Sequence, residues 1–314
     1  MAKMISTFNG EIKRAAELLR AGRLVAFPTE TVYGLGANAL DSEAVRRIYQ
    51  AKGRPSSSPL IVHVTDVAMA RTLARHWPPA AEKLAQAFWP GPLTIVVQKV
   101  AAIPDEVTGG LDTVGLRVPA HPMALALLKE AAIPIAAPSA NRFTQLSPSR
   151  AEHVRLSLGD RVDLILDGGP TGVGIESTVI SVVGDVPVLL RPGMISRAQL
   201  EAVLGPIRVA GIVADGVAHP SPGMHHTHYA PRTTLRIGLP PDAACGYLWH
   251  TVQRAAKRNI HLPADSARYA AGLYDALHLL DELALPVIYV EPVPAGDNWD
   301  GIRDRLSRAD ARNP

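Results

Sequence analysis

A short loop behind a predicted helix carries residue types that bind phosphate groups. Residues 52–59 contain the cations Lys52 and Arg54, a flexible glycine and three serine hydroxyls. Fixed cations and N–H donors stabilise the spread negative charge of a phosphate, although this spacing differs from the Gly-Lys-Thr pattern of a P-loop. The alternative is structural: Lys52 would favour the carboxyl end of its helix, and the serines would cap a turn.

Small polar residues also follow two predicted strands at their carboxyl ends. Residues 27–36 combine threonines with glycines, and Ser139 and Asn141 follow a buried strand at 133–137. Open α/β sheets bind their ligands at this edge, so these groups favour a polar ligand. Taken alone, residues 29–33 could equally form an edge strand with a glycine turn.

Arginines and hydroxyls near later strands could add to the same site. Along residues 114–118 the apolar side chains share one sheet face, and Arg117 points to the other, towards solvent or a cleft. A surface arginine is the commoner explanation of such a position. Residues 176–178 and 191–193 offer further hydroxyl and guanidinium groups, although either segment could be ordinary turn chemistry.

Three other positions carry weaker chemical signals. His63 interrupts an apolar strand, where a lone histidine is more often a core or rim residue than a ligand group. His225, His226 and His228 suggest zinc, but no cysteine accompanies them and no helical spacing orients them, so we predict no metal site. The single Cys245 lies in an apolar run and is predicted to be a buried, inert thiol.

The elements that must position these groups follow an α/β pattern. From residue 10 to about residue 204, helical patterns alternate with short β-branched runs. Helices are predicted at 42–51, behind the Asp41 cap, and at 123–131. Gly184 and Asp185 form a hairpin-like link between the last two strands, so the sheet should be mixed. The predicted strands lie at 24–27, 60–64, 93–98, 114–118, 133–137, 162–166, 178–183 and 186–190.

A linker and a second unit follow. Between residues 210 and 232 the sequence is rich in Gly, Pro, Ser and His and has no apolar periodicity. Fully extended, such a segment could span roughly 70 Å at about 3.3 Å per residue, enough to cross the face of the first domain. The second unit is predicted to be a small α/β domain, with strands at 245–249, 259–262 and 287–291 and helices at 266–283 and 299–308.

Composition limits the classes of protein to consider. The 314 residues are 47% apolar, enough for two domains with buried cores, and the net charge of +3 is too small for a protein that coats a polyanion. The N-terminus lacks the apolar core of a signal peptide, and Lys129 and Glu130 interrupt the longest apolar run, at 122–138. We therefore expect no membrane span and a cytoplasmic location.

Separated motifs recur along the chain in a fixed order. In the first domain they lie at 28–35, 52–55, 59–60, 89–94, 114–119, 137–141, 176–179 and 190–193, and later at 221–224, 228–231 and 269–277. This set resembles the YrdC family of threonylcarbamoyl-AMP synthases, in its longer two-domain form. The first domain is covered almost wholly.

The resemblance implies both a fold and a reaction. Residues 1–209 would form a YrdC-like catalytic domain with a twisted mixed sheet and flanking helices. Residues 210–232 would fold over the active site, and residues 233–314 would form a small Rossmann-like α/β domain. The reaction would join L-threonine, bicarbonate-derived CO₂ and ATP into L-threonylcarbamoyl-AMP and release pyrophosphate, for threonylcarbamoyl-adenosine modification of tRNA.

The resemblance also assigns residues to ligands. Those expected to contact threonine are Thr31, His63, Arg117, Ala137 and Ser177. Those expected to contact ATP are Arg54, Ser58, Thr113, Ser139, Ser147, Arg191 and Tyr229. Lys52, Arg54 and Arg117 would carry catalysis by positioning and charge stabilisation, with Mg²⁺ carried by ATP, since the sequence offers no convincing nucleophile–base pair.

This sequence departs from the family pattern at three places. Ser58 stands where the family usually has Asn, which leaves a hydrogen-bonding group but puts that ATP contact in doubt. The second domain is short, as though one strand–helix unit were missing. Its end, at 296–301, is less glycine-rich and less apolar than the corresponding segment of the family. Among the properties that the resemblance implies, the role of the second domain therefore has the least support from the sequence.

Partners and two alternatives complete the expectations. The product would pass to a downstream tRNA threonylcarbamoyl-transferase complex, with a weak tRNA contact by this chain. An RNA-binding module without turnover is one alternative, although aromatic residues make up only 5% of the chain. Carbamoyltransferase-type adenylate chemistry is the other, although such proteins usually carry additional domains.

Overall fold

A computed structural model describes residues 2–211 and 229–310, and their side chains from residue 9 onward. The predicted linker motif at 221–224 and the histidines His225, His226 and His228 lie outside the described residues. Of the described helices, none is both long enough and apolar enough to cross a bilayer.

Within these ranges, a ten-stranded sheet organises the first part of the chain. Its strands are β1 (Val25–Pro28), β2 (Tyr33–Asn38), β3 (Ile61–His63), β4 (Leu93–Gln98), β5 (Thr113–Arg117), β6 (Ile135–Ala136), β7 (Leu164–Ile165), β8 (Thr178–Ser181), β9 (Val188–Arg191) and β10 (Arg208–Val209). Their order is β10-β9-β8-β4-β5-β3-β6-β2-β1-β7. Strands β3 and β5 are parallel whereas β4 and β5 are antiparallel, so the predicted mixed sheet is confirmed.

Helices cover both faces of this sheet. They are α1 (Ala2–Arg20), α2 (Ser42–Lys52), α3 (Val67–Leu73), α4 (Pro79–Phe88), α5 (Asp105–Thr108), α6 (Pro122–Ala131), α7 (Ala151–Leu158) and α8 (Arg197–Leu204). Alternate residues of β1 separate two cores, because Phe27 packs with α1 and α6 while Ala26 belongs to the larger core on the other face.

Capping fixes the ends of α2 and with them the start of the cationic loop. Asp41 accepts hydrogen bonds from the backbone N–H groups of Glu43 and Ala44, as the sequence predicted. Gly53 ends the helix in the left-handed region, at a φ of 64°, which glycine adopts without steric cost. The chain therefore turns sharply between Lys52, the last helical residue, and Arg54.

The segment at 29–33 forms a turn within a hairpin. Strands β1 and β2 pair antiparallel, with Pro28 opposite Tyr33, and Thr29 Oγ1 donates to the Val32 carbonyl at 2.6 Å across the turn. Because β2 also pairs with β6, this part of the sheet is interior. The alternative of an edge strand at these residues is therefore wrong.

A four-stranded parallel sheet forms the second unit. Its strands are β11 (Thr234–Ile237), β12 (Gly246–Trp249), β13 (Arg258–His261) and β14 (Val287–Val290), in the order β11-β14-β12-β13, with helices α9 (Ser266–Glu282) and α10 (Asp300–Asp310). The sequence predicted this fold class but missed β11, a four-residue strand directly after the linker. Cys245 is buried, and burial raises the pKa of its thiol, as expected for an inert group.

The core of this second unit extends into the first. Val32, Leu146 and Ile175 of the first unit pack in the same buried cluster as Leu273 and Ile302 of α9 and α10. The sequence-based limits of the domains stay a prediction, and the two units share apolar contacts beside the strand ends described next.

Candidate functional site

A cavity is lined by residues at or next to the last residues of β1, β3, β5, β6 and β9, and by the loop before β8. Its walls combine cations, hydroxyls and small apolar groups. The lining residues are Thr29, Thr31, Val32, Gly34, Arg54, Ile61, His63, Arg117, Ala137, Pro138, Ser139, Glu176, Ser177, Arg191 and Tyr229. All five residues predicted to contact threonine are among them.

Sheet register explains why two of the five are neighbours. His63 of β3 lies directly opposite Arg117 of β5 in the parallel ladder, and neighbouring strands are about 4.8 Å apart. Arg117 is 3% exposed and lines the cavity. Of the two alternatives for this arginine, solvent or a cleft, the structure therefore shows the cleft.

A carboxylate holds the Arg117 guanidinium in place. Arg117 Nη2 donates to Glu30 Oε1 at 2.6 Å, and Nε donates to the Gly91 carbonyl at 3.2 Å. Glu30 is itself fixed, because its Oε2 accepts from the Ala120 backbone N–H at 2.9 Å. These contacts use two of the five guanidinium N–H groups and orient a buried cation at the cavity.

His63 presents a neutral ring to the cavity. Burial, together with the charge of Arg117, lowers the pKa of His63 to about 3. Its Nδ1 is buried without a hydrogen-bond partner among the described residues. A neutral imidazole with an unused nitrogen can exchange a hydrogen bond with a polar ligand.

Two further arginines line the cavity. Arg54 donates to the Pro59 carbonyl at 3.1 Å, and its guanidinium carbon lies 5.7 Å from the centre of the Phe143 ring. Arg191 donates through Nε and Nη2 to the Ser177 carbonyl, at 3.1 and 3.0 Å. Burial lowers the pKa of both guanidiniums, yet arginine stays charged in proteins. The two cations make the part of the cavity that they line suited to an anionic ligand.

Lys52 lies beside the cavity and does not line it. Its Nζ donates to the carbonyls of Ser139 and Asn141, at 2.6 and 2.5 Å, and the side chain is buried. Burial, and secondarily the charge of Arg54, holds the pKa of Lys52 well below its usual value. In this conformation Lys52 ties down the loop that carries Ser139, so its predicted place near the phosphates stays a prediction.

The residues predicted to contact ATP are only partly brought together. Arg54, Ser139, Arg191 and Tyr229 line the cavity, whereas Ser58, Thr113 and Ser147 lie outside its described walls. Thr113 is at the opposite end of β5 from Arg117, about 13 Å away along the strand. Ser147 is buried and donates to Glu176 Oε1 at 2.5 Å.

The described end of the linker reaches the cavity. Tyr229 is 1% exposed, and Ala230 pairs with Gln145 while its N–H donates to the Thr144 carbonyl at 3.0 Å. The length of the segment allowed this contact, and the family resemblance predicted it by placing residues 210–232 over the active site and Tyr229 beside ATP. Among the described residues, no group of three or more His, Cys, Asp or Glu side chains is placed to hold a metal ion.

The Sua5_yciO_yrdC family model, described as "Telomere recombination", matches residues 17–193. A second model, described as "Threonylcarbamoyl-AMP synthase, C-terminal domain", matches residues 195–311. The chain belongs to the Sua5/YrdC family. Both halves of its fold are therefore those of the long, two-domain members.

Similar proteins cover nearly the whole of this Sua5/YrdC chain. A threonylcarbamoyl-AMP synthase of Bacillus subtilis is 46% identical over 97% of this chain and 94% of its own length. One from Pyrococcus abyssi is 50% identical over 72% of this chain and 67% of its own length. The crystal structure of P. abyssi Sua5 complexed with L-threonine matches with a TM-score of 0.91, at 39% identity, over 96% of this chain and 94% of that one.

Some residues that line the cavity of this Sua5/YrdC protein, or hold its lining residues in place, were not among the predicted site residues. Glu30 and Glu176 occur in motifs that the sequence singled out, but nothing local shows that one carboxylate would hold Arg117 and the other would face Arg191. Arg305 of α10 also reaches this region, through Glu176. Its only sequence signal is an arginine on the apolar side of a helix, beside Ile302 and Leu306.

Proposed function

We propose that this protein synthesises L-threonylcarbamoyl-AMP from L-threonine, bicarbonate-derived CO₂ and ATP, with release of pyrophosphate. The observation that carries the proposal is the convergence of Thr31, His63, Arg117, Ala137 and Ser177 on one cavity that Arg54 and Arg191 also line. Groups suited to a carboxylate and groups suited to phosphates therefore line the same space. Relatives named threonylcarbamoyl-AMP synthase support the same conclusion.

Arg117 would bind the threonine carboxylate. Guanidinium groups pair with carboxylates through two parallel N–H donors, and a buried one does so without competition from water. Glu30 would keep the fork of donors in one orientation during binding. Neutral His63 and the hydroxyl of Thr31 would then meet the polar groups of the substrate without adding a second positive charge.

The chemical steps need no covalent enzyme intermediate. The threonine amine would add to CO₂ and lose one proton to become a carbamate, and a carbamate oxygen would attack the α-phosphorus of ATP. The bond to pyrophosphate breaks as the new P–O bond forms. Rate would come from holding the two reactants in line and from balancing the developing negative charge.

Two further cations of the cavity would balance this charge. Arg54 and Arg191 are fixed and largely water-excluded, so their attraction for phosphate oxygens is stronger than it would be in water. Mg²⁺ would arrive with ATP as part of the substrate. Lys52 would join the phosphates only if it exchanged one of its carbonyl contacts for a phosphate oxygen.

The product would serve threonylcarbamoyl-adenosine formation in tRNA. A downstream transferase complex would consume it, with at most a weak tRNA contact by this chain, and ATP, threonine and tRNA meet in the cytoplasm. The deciding experiment incubates the full chain with ¹³C-bicarbonate, threonine and ATP and identifies the nucleotide product by mass spectrometry. A threonylcarbamoyl-AMP that carries the label supports the proposal, and AMP without the label contradicts it.

The same assay separates the alternatives. A carbamoyltransferase-type enzyme would make an adenylate from carbamoyl phosphate and ATP when threonine is omitted. An RNA-binding module would bind RNA in a salt-sensitive way and leave ATP unchanged. Product formation that requires threonine excludes both.

A further inference from the structure

Two helices of the second unit touch the loops that form one wall of the cavity. At Gly301 of α10, a Cβ atom would lie 2.8 Å from the backbone of Gly193, in the loop that follows Arg191. At Gly174, in the loop before Ser177, a Cβ would collide with the α9 backbone at Ala270. Helices α9 and α10 thus lie directly against the two loops, closer than any side chain at these positions would allow.

Arg305 of α10 joins these two loops through three nitrogen atoms. Its Nε donates to Glu176 Oε2 at 2.8 Å, and its Nη2 donates to the Glu176 carbonyl at 3.1 Å. Its Nη1 donates to the Pro192 carbonyl at 2.8 Å and to Asp304 at 2.9 Å. The side chain is 1% exposed. One guanidinium therefore sets the spacing between the loop at Glu176 and the loop at Pro192.

The Glu176 carboxylate is the common partner of both units. It accepts from Ser147 at 2.5 Å in the first unit and from Tyr274 and Arg305 at 3.1 and 2.8 Å in the second. Burial alone would raise the pKa of Glu176, but the charges of Arg305 and Arg191 outweigh it and hold the pKa below its usual value. The group is an ionised carboxylate that accepts hydrogen bonds from three side chains.

Glu176 is next in sequence to a predicted substrate contact. Ser177 follows Glu176 directly, and Arg191 donates to both the carbonyl and, at 3.2 Å, the hydroxyl of Ser177. The guanidinium of Arg305 also lies 5.2 Å from the centre of the Tyr229 ring, within cation–π range. A shift of Arg305 would therefore move Ser177, Arg191 and Tyr229 together.

We infer that Arg305, a residue of the second domain, is a positioning residue for the proposed reaction. It sets the distance between the Ser177 loop and the Arg191 loop and places Tyr229 over the cavity. Buried ion pairs contribute little net stability compared with apolar packing, so a geometric role accounts for this one better than a stabilising role. The inference rests on the proposed function, and it gives the second domain of the protein a role in positioning the residues of the cavity.

The main test replaces Arg305 by lysine in the full chain. Lysine keeps the charge but lacks the rigid fork that reaches both loops at once. We expect kcat/KM for ATP to fall about tenfold to a hundredfold, since a displacement of about 1 Å can cost that much. The matched control is Arg303→Lys on the same helix, whose partners, Pro294 and Asp300, do not line the cavity; it should stay within about twofold of wild type.

A double variant separates positioning from a general loss of stability. If Arg305 acts through Glu176, then Arg305→Lys combined with Glu176→Gln should lose about as much kcat/KM as the worse single variant. If the fold-loss in kcat/KM of the double variant instead equals the product of the two single fold-losses, the inference is overturned. Rates are measured well below the melting temperature of each variant, where a purely stabilising residue would leave kcat/KM unchanged.

Gly301→Ala provides a second route that changes no polar group. Its methyl group should push α10 away from Gly193 and withdraw Arg305 from the Pro192 carbonyl, and it should lower kcat/KM in the same way. This variant decides the matter if Arg305→Lys does not fold. ATP affinity is measured by calorimetry in parallel. A wild-type protein that binds ATP without turnover would refute the proposed function, and the ATP affinities of the variants would still test the positioning role of Arg305. A folded Arg305→Lys or Gly301→Ala protein whose kcat/KM and ATP affinity both equal those of wild type would overturn the inference.

Discussion

The carboxylate of Glu30 lies 2.6 Å from the guanidinium of Arg117; the arginine side chain is buried, and that of Glu30 is partly buried. Because a backbone N–H of residue 120 holds the other carboxylate oxygen, the pair has one fixed geometry. An unpaired arginine in this cavity would have to adjust when a substrate arrives, whereas this one is already oriented. The pair therefore supplies the preorganisation that carboxylate recognition needs.

Arg117→Lys should lower threonine-dependent turnover while the protein stays folded. A lysine keeps the charge but cannot contact Glu30 and a substrate carboxylate with one planar fork. A desolvated charged contact is worth about 2 to 4 kcal/mol, so kcat/KM for threonine should fall tens- to hundreds-fold. The measurement is steady-state pyrophosphate release with threonine varied.

The matched control for this substitution is Arg71→Lys, which alters an exposed arginine–carboxylate pair with Glu82. It should change neither rate nor stability measurably. Arg117→Ala would be less informative, because it leaves the partly buried Glu30 carboxylate without its partner and should also lower the free energy of unfolding. An Arg117→Lys protein with wild-type kcat/KM would remove Arg117 from the threonine site.

Arg54→Ala should weaken ATP binding more than threonine binding. Arg54 contacts the Pro59 carbonyl and the Phe143 ring, and neither of these residues is a predicted threonine contact. Arg191→Ala should weaken both ligands, because Arg191 also holds Ser177. Calorimetric titration of each ligand into each variant measures the difference, with the exposed Arg155→Ala as control. Equal losses for both ligands in Arg54→Ala would contradict the assignment.

Acid should destabilise the protein partly through His63. The folded-state pKa of about 3 is below the ordinary value of 6.5, so the unfolded chain binds more protons between these values. The free energy of unfolding therefore rises with pH across this window, and the contribution of His63 is lost as the pH falls from 6.5 towards 3. His63→Gln should flatten urea-unfolding stabilities measured between pH 4.5 and 7.

The exposed His76 provides the control for this titration. His76→Gln should leave the slope of stability against pH close to that of wild type. His153, whose pKa burial and then His278 lower to about 4, contributes a slope in the same direction that both variants retain. A slope that His63→Gln does not change would show that His63 is not held neutral by the fold.

Tyr229→Ala should raise the wasteful breakdown of the adenylate. The ring is buried against the cavity, next to Arg305 and Tyr274, and its loss would admit water to a hydrolysable product. AMP formation in excess of threonylcarbamoyl-AMP is the quantity to measure, with the half-buried Tyr289→Ala in β14 as control. Truncation after Ala210 should have a larger effect on synthesis. Unchanged product retention in Tyr229→Ala would show that the linker is a tether.

Much of this site could be predicted because its residues lie in local patterns. The Asp41 cap and Gly53 fix the start of the cationic loop, and alternation along β5 separates Arg117 from its apolar neighbours. Such features depend on neighbours within a few residues. The order of the strands then brings distant loops to one edge, which the resemblance to a known family anticipated and local reasoning could not.

The remaining features depend on contacts between distant parts of the chain. Glu30 and Arg117 are far apart in sequence, and Arg305 reaches Glu176 across the two units. No periodicity encodes these pairs, because each side chain taken alone resembles a surface charge. Strand β11 was missed for a related reason: its four residues form a strand only by pairing with β14.

The central claim is that one cavity couples threonine to ATP, and pyrophosphate release tests it most directly. The full chain is assayed with threonine, bicarbonate and ATP, and then with each substrate omitted in turn. We predict that pyrophosphate appears only when all three are present, because the carbamate that attacks ATP cannot form without the first two. Pyrophosphate release at an unchanged rate in the absence of threonine would contradict the account.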